Sequence, residues 1–321
     1  MTEDRVPPKR PARTERRRSL LRPRPVAGWE HAVLPVALEL SGDLLEGPAM
    51  ATLEDRIPAL MAAFPPGGLL VRALGEAPPG GLLAVAQRLR GTVRQRAVLF
   101  VVPHERRQEL GPILAHPPVE GFAVASVQGL GAMVEGGAAP PEGAFDRAVL
   151  RVADLGSLNP DPEDLRRALG LGCRLFLAPG SMLDARHVDR LGTTLRRRAA
   201  SLLLEDPFAG GRLDGSFLQG TPTDPSSPRP RSPSELQRWF APALALGFLA
   251  QPGRRTLLQA NLRFLLSAPG VTGVALPLTR PELVRQLLSV DASLRLSSVD
   301  RARLLALSTI AFAPGAGRTS S

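Results

Sequence analysis

The sequence predicts a (β/α)8 barrel, on three observations. Eight β-like runs recur between residues 33 and 276, amphipathic helical patterns separate them, and the alternation continues towards the C-terminus without an obvious sheet edge. The runs are Val33–Leu40, Gly68–Ala73, Ala97–Val102, Gly121–Val127, Ala148–Val152, Arg174–Ala178, Ser201–Leu204 and Val271–Leu276. Each is short, apolar and bounded by Gly, Pro or charged residues, as buried parallel strands are. A doubly wound parallel sheet is the alternative, but no GxGxxG follows any of the runs.

Helical periodicity predicts Leu53–Ala63, Leu82–Arg94, Arg106–Leu114, Pro162–Leu169, Ala185–Arg198, Pro233–Leu249, Arg254–Leu266 and Pro281–Leu288, with a last helix from Ser298 to Leu307. Start signals are clearest in the second half. Ser232-Pro233-Ser234-Glu235 places Ser at the N-cap, Pro at the first helical position and Glu two residues later, where it can reach back to the cap. Thr279-Arg280-Pro281-Glu282 and Ser297-Ser298-Val299-Asp300 repeat the pattern, and Asp161-Pro162-Glu163-Asp164 opens another helix. Residues 129–143 and 220–231, dense in Gly or Pro, read as loops.

The chain has 321 residues, enough to bury a substantial core as one large domain. The expected organisation is a disordered Arg/Pro-rich arm over 1–26, the barrel over 27–310 and a flexible tail over 311–321. Residues 1–24 carry nine basic and three acidic side chains, a net of +6 out of the chain's +10. High charge with few apolar groups does not offset the entropy of ordering. The arm is a candidate dock for an acidic partner. It lacks interleaved aromatics, and the remaining +4 is no specific nucleic-acid signal.

One cysteine, Cys173, excludes an intramolecular disulfide and suits a small buried hydrophobe. The N-terminus has no apolar signal core, and the longest nearly uncharged apolar stretch, Trp239–Ala250, is too short for a membrane span. A cytoplasmic location is the expectation. No His, Cys, Asp or Glu group has metal-ligand spacing.

Of the four histidines, His31, His116 and His187 carry no pattern, whereas His104 follows the third strand on the side where barrel enzymes place catalytic groups. Gln128 ends the fourth strand and can donate a hydrogen bond but cannot titrate. Glu205-Asp206 end the seventh. His104, Gln128 and Glu205 are the catalytic candidates.

Four stretches carry a family resemblance. They are Ala148–Asn159 (AVLRVADLGSLN), Arg174–Arg186 (RLFLAPGSMLDAR), Leu202–Gly215 (LLLEDPFAGGRLDG) and Thr256–Glu282 (TLLQANLRFLLSAPGVTGVALPLTRPE). The second half of the chain thereby resembles the aldo-keto reductases. The resemblance implies a barrel that binds NADP across the strand C-terminal ends. Its cofactor-binding positions would be Pro207, Phe208, Gly211, Leu213, Thr279, Arg280 and Arg285. In that family a Tyr with a neighbouring Lys donates the proton to a carbonyl. This chain has no tyrosine, and its single lysine is Lys9 in the arm. The family's carboxamide-binding Gln falls on Leu177, its nicotinamide-stacking Tyr on Gly180 and the next Asn on Ser181, while the usual Gly after the eighth strand becomes Pro277.

Two further expectations follow from scaffold without reaction. One is an aldo/keto reductase-like pseudoenzyme that holds a small molecule in the barrel mouth. The other is an NADPH-dependent oxidoreductase with a rewired acid, His104 or Glu205. A third reading, an interaction protein, rests on the basic arm.

Overall fold

A computed structural model describes residues 20, 22–26, 32–40, 68–73, 98–103, 123–130, 149–214, 232–277, 283, 286–287, 289–290, 293 and 295–310. The strands are β1 (Arg24–Pro25), β2 (Ala32–Leu40), β3 (Gly68–Ala73), β4 (Val98–Pro103), β5 (Ala123–Gly129), β6 (Val149–Asp154), β7 (Leu175–Pro179), β8 (Ser201–Glu205) and β9 (Val271–Pro277). β2 to β9 pair in chain order, all parallel, and β9 pairs back onto β2 through Val36↔Val274 to Glu39↔Pro277. The sheet is therefore closed, the expected eight-stranded barrel. Every predicted strand is present to within two residues at either end.

The described helices are α1 (Pro162–Gly170), α2 (Ala185–Arg197), α3 (Pro233–Ala245), α4 (Leu257–Ser267) and α5 (Ser298–Ile310). Their starts follow the capping chemistry written in the sequence. Asp161 accepts the Glu163 amide at 2.7 Å, and Ser232 and Glu235 form a reciprocal capping box. Ser297 does the same with Asp300, whose amide donates to the Ser297 hydroxyl at 2.9 Å. α4 begins later than expected because Thr256, not Arg254, is its cap, paired with Gln259. α3 stops at Ala245, three residues past Pro242, and a short 3-10 turn over Gly247–Leu249 replaces its expected last turn. The expected helices over 53–63, 82–94 and 106–114 lie outside the described residues, as does the cap at 279–282.

Strand alternation divides the core in two. Ala37, Leu70, Val101, Val152, Leu175, Leu177, Leu203 and Ala275 form a cluster inside the barrel. Their neighbours in sequence, including Val36, Val71, Val102, Ala153, Phe176, Leu202, Leu204 and Val274, join the helices in the outer layer. β7 and β8 read as unbroken apolar runs because both of their faces are buried.

The arm expected over 1–26 ends earlier than the sequence suggested. β1 pairs antiparallel with the start of β2, and Val26, 1% exposed, joins the interior cluster from below. Arg24 donates to the carbonyls of Leu266 at 2.6 Å and Val271 at 2.7 Å. The ordered body therefore takes in residues that composition alone had assigned to a tail.

Candidate active site at the barrel mouth

The C-terminal ends of the strands carry charge on the inward-facing positions. Glu39 lies two residues beyond Ala37, Arg72 two beyond Leu70, Asp154 two beyond Val152, and Glu205 two beyond Leu203. With a side-chain period of two, each continues an interior row above the aliphatic floor.

Three of the four are joined directly. Arg72 Nη1 donates to Glu39 Oε1 at 2.9 Å, across the β2–β3 register pair. Its Nε makes an ion pair with Glu205 Oε1. β3 and β8 are not neighbours in the sheet, so this guanidinium spans the lumen. Glu205 Oε1 is buried, and this guanidinium is the partner it faces. The side chains of Glu39, Arg72 and Glu205 are 13%, 21% and 9% exposed.

Burial pushes the Glu205 carboxyl from 4.5 up to about 7. Arg72 opposes the shift, while the negative charges of Asp154, Glu39 and Asp206 add to it. The carboxyl therefore keeps its proton to higher pH than an ordinary glutamate, the direction of shift that suits a group for proton exchange. Asp154 is pinned by its neighbour's backbone, the Gly156 amide donating to Oδ1 at 2.9 Å.

The turn after β8 is built for packing. Asp206 sits at φ +44°, and its carboxylate accepts the Gly210 amide at 2.8 and 3.0 Å. Pro207, Phe208, Gly211 and Leu213, the expected cofactor-covering residues, are all buried here, Phe208 and Leu213 in the outer core. Asn261 of α4, fully buried, donates to the Pro207 carbonyl at 2.8 Å and accepts the Met182 amide at 2.9 Å. It ties the turns after β7 and β8 to one helix.

Of the other expected site residues, Gln128 lies on β5, paired in register with Ala153. His104, Thr279, Arg280 and Arg285 lie outside the described residues. His187 is half-buried on α2. Cys173 is fully buried, and burial raises its thiol to about 11 despite Arg151 and Arg174. Among the described residues no group of three His, Cys, Asp or Glu side chains is arranged to hold a metal ion. Nor, among them, is any helix long and apolar enough to cross a membrane. Sequence reading missed Glu39, Arg72 and Asp154. Their signal was a charged residue at interior parity in the last turn of a barrel strand, as in Leu-Glu-Leu and Val-Arg-Ala.

No family model matches the sequence, and no curated protein does. Solved structures do match. An aldo/keto reductase from Klebsiella pneumoniae in complex with NADP and acetate aligns with a TM-score of 0.58 and 15% identity, covering 90% of this chain and 94% of that one. The glycerol dehydrogenase of Gluconobacter oxydans aligns with a TM-score of 0.63 and 12% identity over 94% of this chain and 99% of its own. The fold is that of the aldo-keto reductases.

Measured against the resemblance, the nicotinamide half of NADP does not fit the residues present. Leu177 offers no amide and is part of the interior cluster, 2% exposed. A Cβ at Gly180 would stand 3.0 Å from both Leu158 Cδ1 and Leu204 Cδ2, so these leucines fill the space beside the chain. Ser181 is fully buried and committed to a local cap. Its hydroxyl accepts the Leu183 amide at 3.1 Å and donates to Asp184 Oδ2 at 3.1 Å. One aliphatic side chain, one filled gap and one consumed hydroxyl stand where the aldo-keto reductases are expected to hold the ring.

Proposed function

We propose that this chain is a small-molecule-binding pseudoenzyme on an aldo-keto reductase scaffold, working in the cytoplasm without the tyrosine-dependent reduction of carbonyls. The observation that carries this reading is the Glu39–Arg72–Glu205 group on the interior rim of the barrel. Barrels of this class place their ligands at that end. A ligand's polar groups would meet a guanidinium fixed by two carboxylates, a carboxyl that exchanges its proton near neutral pH, and an aliphatic floor.

The missing phenol argues in the same direction. A general acid must reach the substrate oxygen and titrate near the working pH. No tyrosine exists in the chain to do so. The expected result in a steady-state assay with NADPH and a panel of aldehydes is no aldehyde-dependent oxidation of NADPH above background.

A second reading is favoured by one specific observation, the elevated Glu205 carboxyl. In an oxidoreductase with a rewired acid, Glu205 would supply the proton. The same assay separates the two. Turnover that falls as pH rises through about 7 and disappears in Glu205→Gln would establish the second reading and remove the first.

A further inference from the structure

We infer that the end of the barrel opposite the mouth is a docking surface for a nucleic-acid duplex, held through its phosphates without regard to base sequence. The inference does not depend on what the mouth binds.

It starts from how charge is distributed. Residues 165–183 and 190–204 contain seven arginines and no acidic residue. The fold brings most of these to one end. Arg151 and Arg174 stand at the starts of β6 and β7, and Arg167, Arg196, Arg197 and Arg198 at the ends of α1 and α2. Hydrogen bonds join these pieces at one level. The Ser201 amide at the start of β8 donates to the Arg174 carbonyl at 2.8 Å, and the Ala200 amide donates to the Leu195 carbonyl in the last turn of α2 at 2.9 Å. Arg151 Nη1 donates to the Leu171 carbonyl, just past α1, at 2.6 Å. At the other end, Glu39, Asp154 and Glu205 finish strands, and Asp161 and Asp184 open helices. The modest net charge of the body conceals this separation.

The arginines differ in what they already hold. Arg174 donates to the carbonyls of Leu169 and Cys173, each at 2.9 Å, and Arg151 is engaged as above. Arg167, Arg196, Arg197 and Arg198 are exposed, and among the described residues their side chains have no hydrogen bond or ion pair. A cation near a helix C-terminus complements the dipole. Successive helical residues point about 100° apart, however, so three arginines in a row exceed what one set of terminal carbonyls engages.

A second observation comes from the N-terminal arm. Arg24 binds the carbonyls of Leu266 and Val271, and Gly192 of α2 packs against Pro269 between them. The arm is therefore rooted beside α2, at the arginine end of the barrel, with Arg22 exposed at its base. Residues 1–24 add nine basic and three acidic side chains to that end.

The partner follows from the chemistry. A guanidinium fork matches phosphate oxygens, and a duplex presents a negative charge about every 1.7 Å along its axis, which a basic face with a basic arm can track. Docking on a membrane draws on buried apolar area. Beside these arginines the exposed large apolar side chain is Leu171, at 36%. The arm holds no aromatic residue to stack on a base, so contact stays with the backbone.

Fluorescence anisotropy of a short labelled DNA duplex, titrated with the full chain at several KCl concentrations, tests this. The expected result is binding that weakens about 10³-fold between roughly 50 and 200 mM salt, equally for two unrelated sequences. Replacing Arg196, Arg197 and Arg198 together by Ala should lower the salt slope by about three. Replacing Arg16, Arg17 and Arg18 together by Ala should do the same. The matching Lys triple on α2 should keep the slope, which separates lost charge from lost folding. Arg254→Ala, ahead of α4 at the mouth end, should leave the slope unchanged. No binding at about 50 mM salt, a slope unmoved by the α2 Ala triple, or a Lys triple as weak as the Ala triple overturns the inference. Tighter binding to phosphatidylserine vesicles or to polyglutamate than to the duplex also overturns it, in favour of a membrane or an acidic protein.

Discussion

Burial of Glu205 should make the stability of the fold depend on pH. Its carboxyl lies near 7 in the folded chain and near 4.5 unfolded, so between those values the folded state binds more protons. Stability must therefore fall as pH rises through that window. The shift corresponds to roughly 3 kcal/mol, lost between about pH 4.5 and pH 8. Urea midpoints for the wild-type chain should decline over that range, and Glu205→Gln should flatten the decline; parallel slopes would contradict it. Cys173 makes a simpler case. A buried thiol held near 11 is almost wholly protonated at neutral pH and does not react. Thiol labelling with a chromogenic disulfide should be slow in the native chain and reach one equivalent only on unfolding.

Between elements, the closest approach is at two glycines. A Cβ on Gly192 of α2 would lie 2.0 Å from the Pro269 carbonyl oxygen, and one on Gly270 would lie 2.1 Å from the Gly192 carbonyl oxygen. Gly270 also sits at φ +72°. Helix and turn meet backbone to backbone, so nothing flexible can yield. Gly192→Ala should destabilise by about 2 kcal/mol or more, as overpacking does, measured by denaturant unfolding. Arg24 anchors the N-terminal strand. Its guanidinium is shared among the carbonyls of Leu20, Leu266 and Val271, near the C-terminal end of α4 where carbonyls lack helical partners. Arg24→Met should lower stability by about 2 kcal/mol, the scale of a charged hydrogen bond. These contacts show where sequence reading stops. Ser232, Asp161 and Ser297 announced their helices because capping is a local exchange of hydrogen bonds within three residues. Arg24 looked like one more charge in a tail because its acceptors lie 242 and 247 residues away. The Ser181–Asp184 cap passed unread because the resemblance assigned Ser181 to a cofactor position.

Across the whole molecule, the barrel was legible because short apolar runs and helical patterns alternate with a regular period, and closure needs only that count. The interior rim was not. Arg72 and Glu205 come from strands 133 positions apart that do not pair, and only closure of the sheet turns them towards each other. Each lies two residues beyond an interior leucine, Leu70 or Leu203, but strand periodicity carries no information on which residue lies opposite. The molecule has the aldo-keto reductase fold, with Glu39, Arg72 and Glu205 joined on its interior rim. On the proposed function, the nicotinamide ring has no seat at this mouth. The most direct measurement is the fluorescence of NADPH titrated with the purified chain, since ring emission reports the surroundings of the nicotinamide itself. The expected result is emission unchanged in intensity and wavelength up to saturating protein. Saturable quenching or a blue shift, lost on adding NADP, would contradict it.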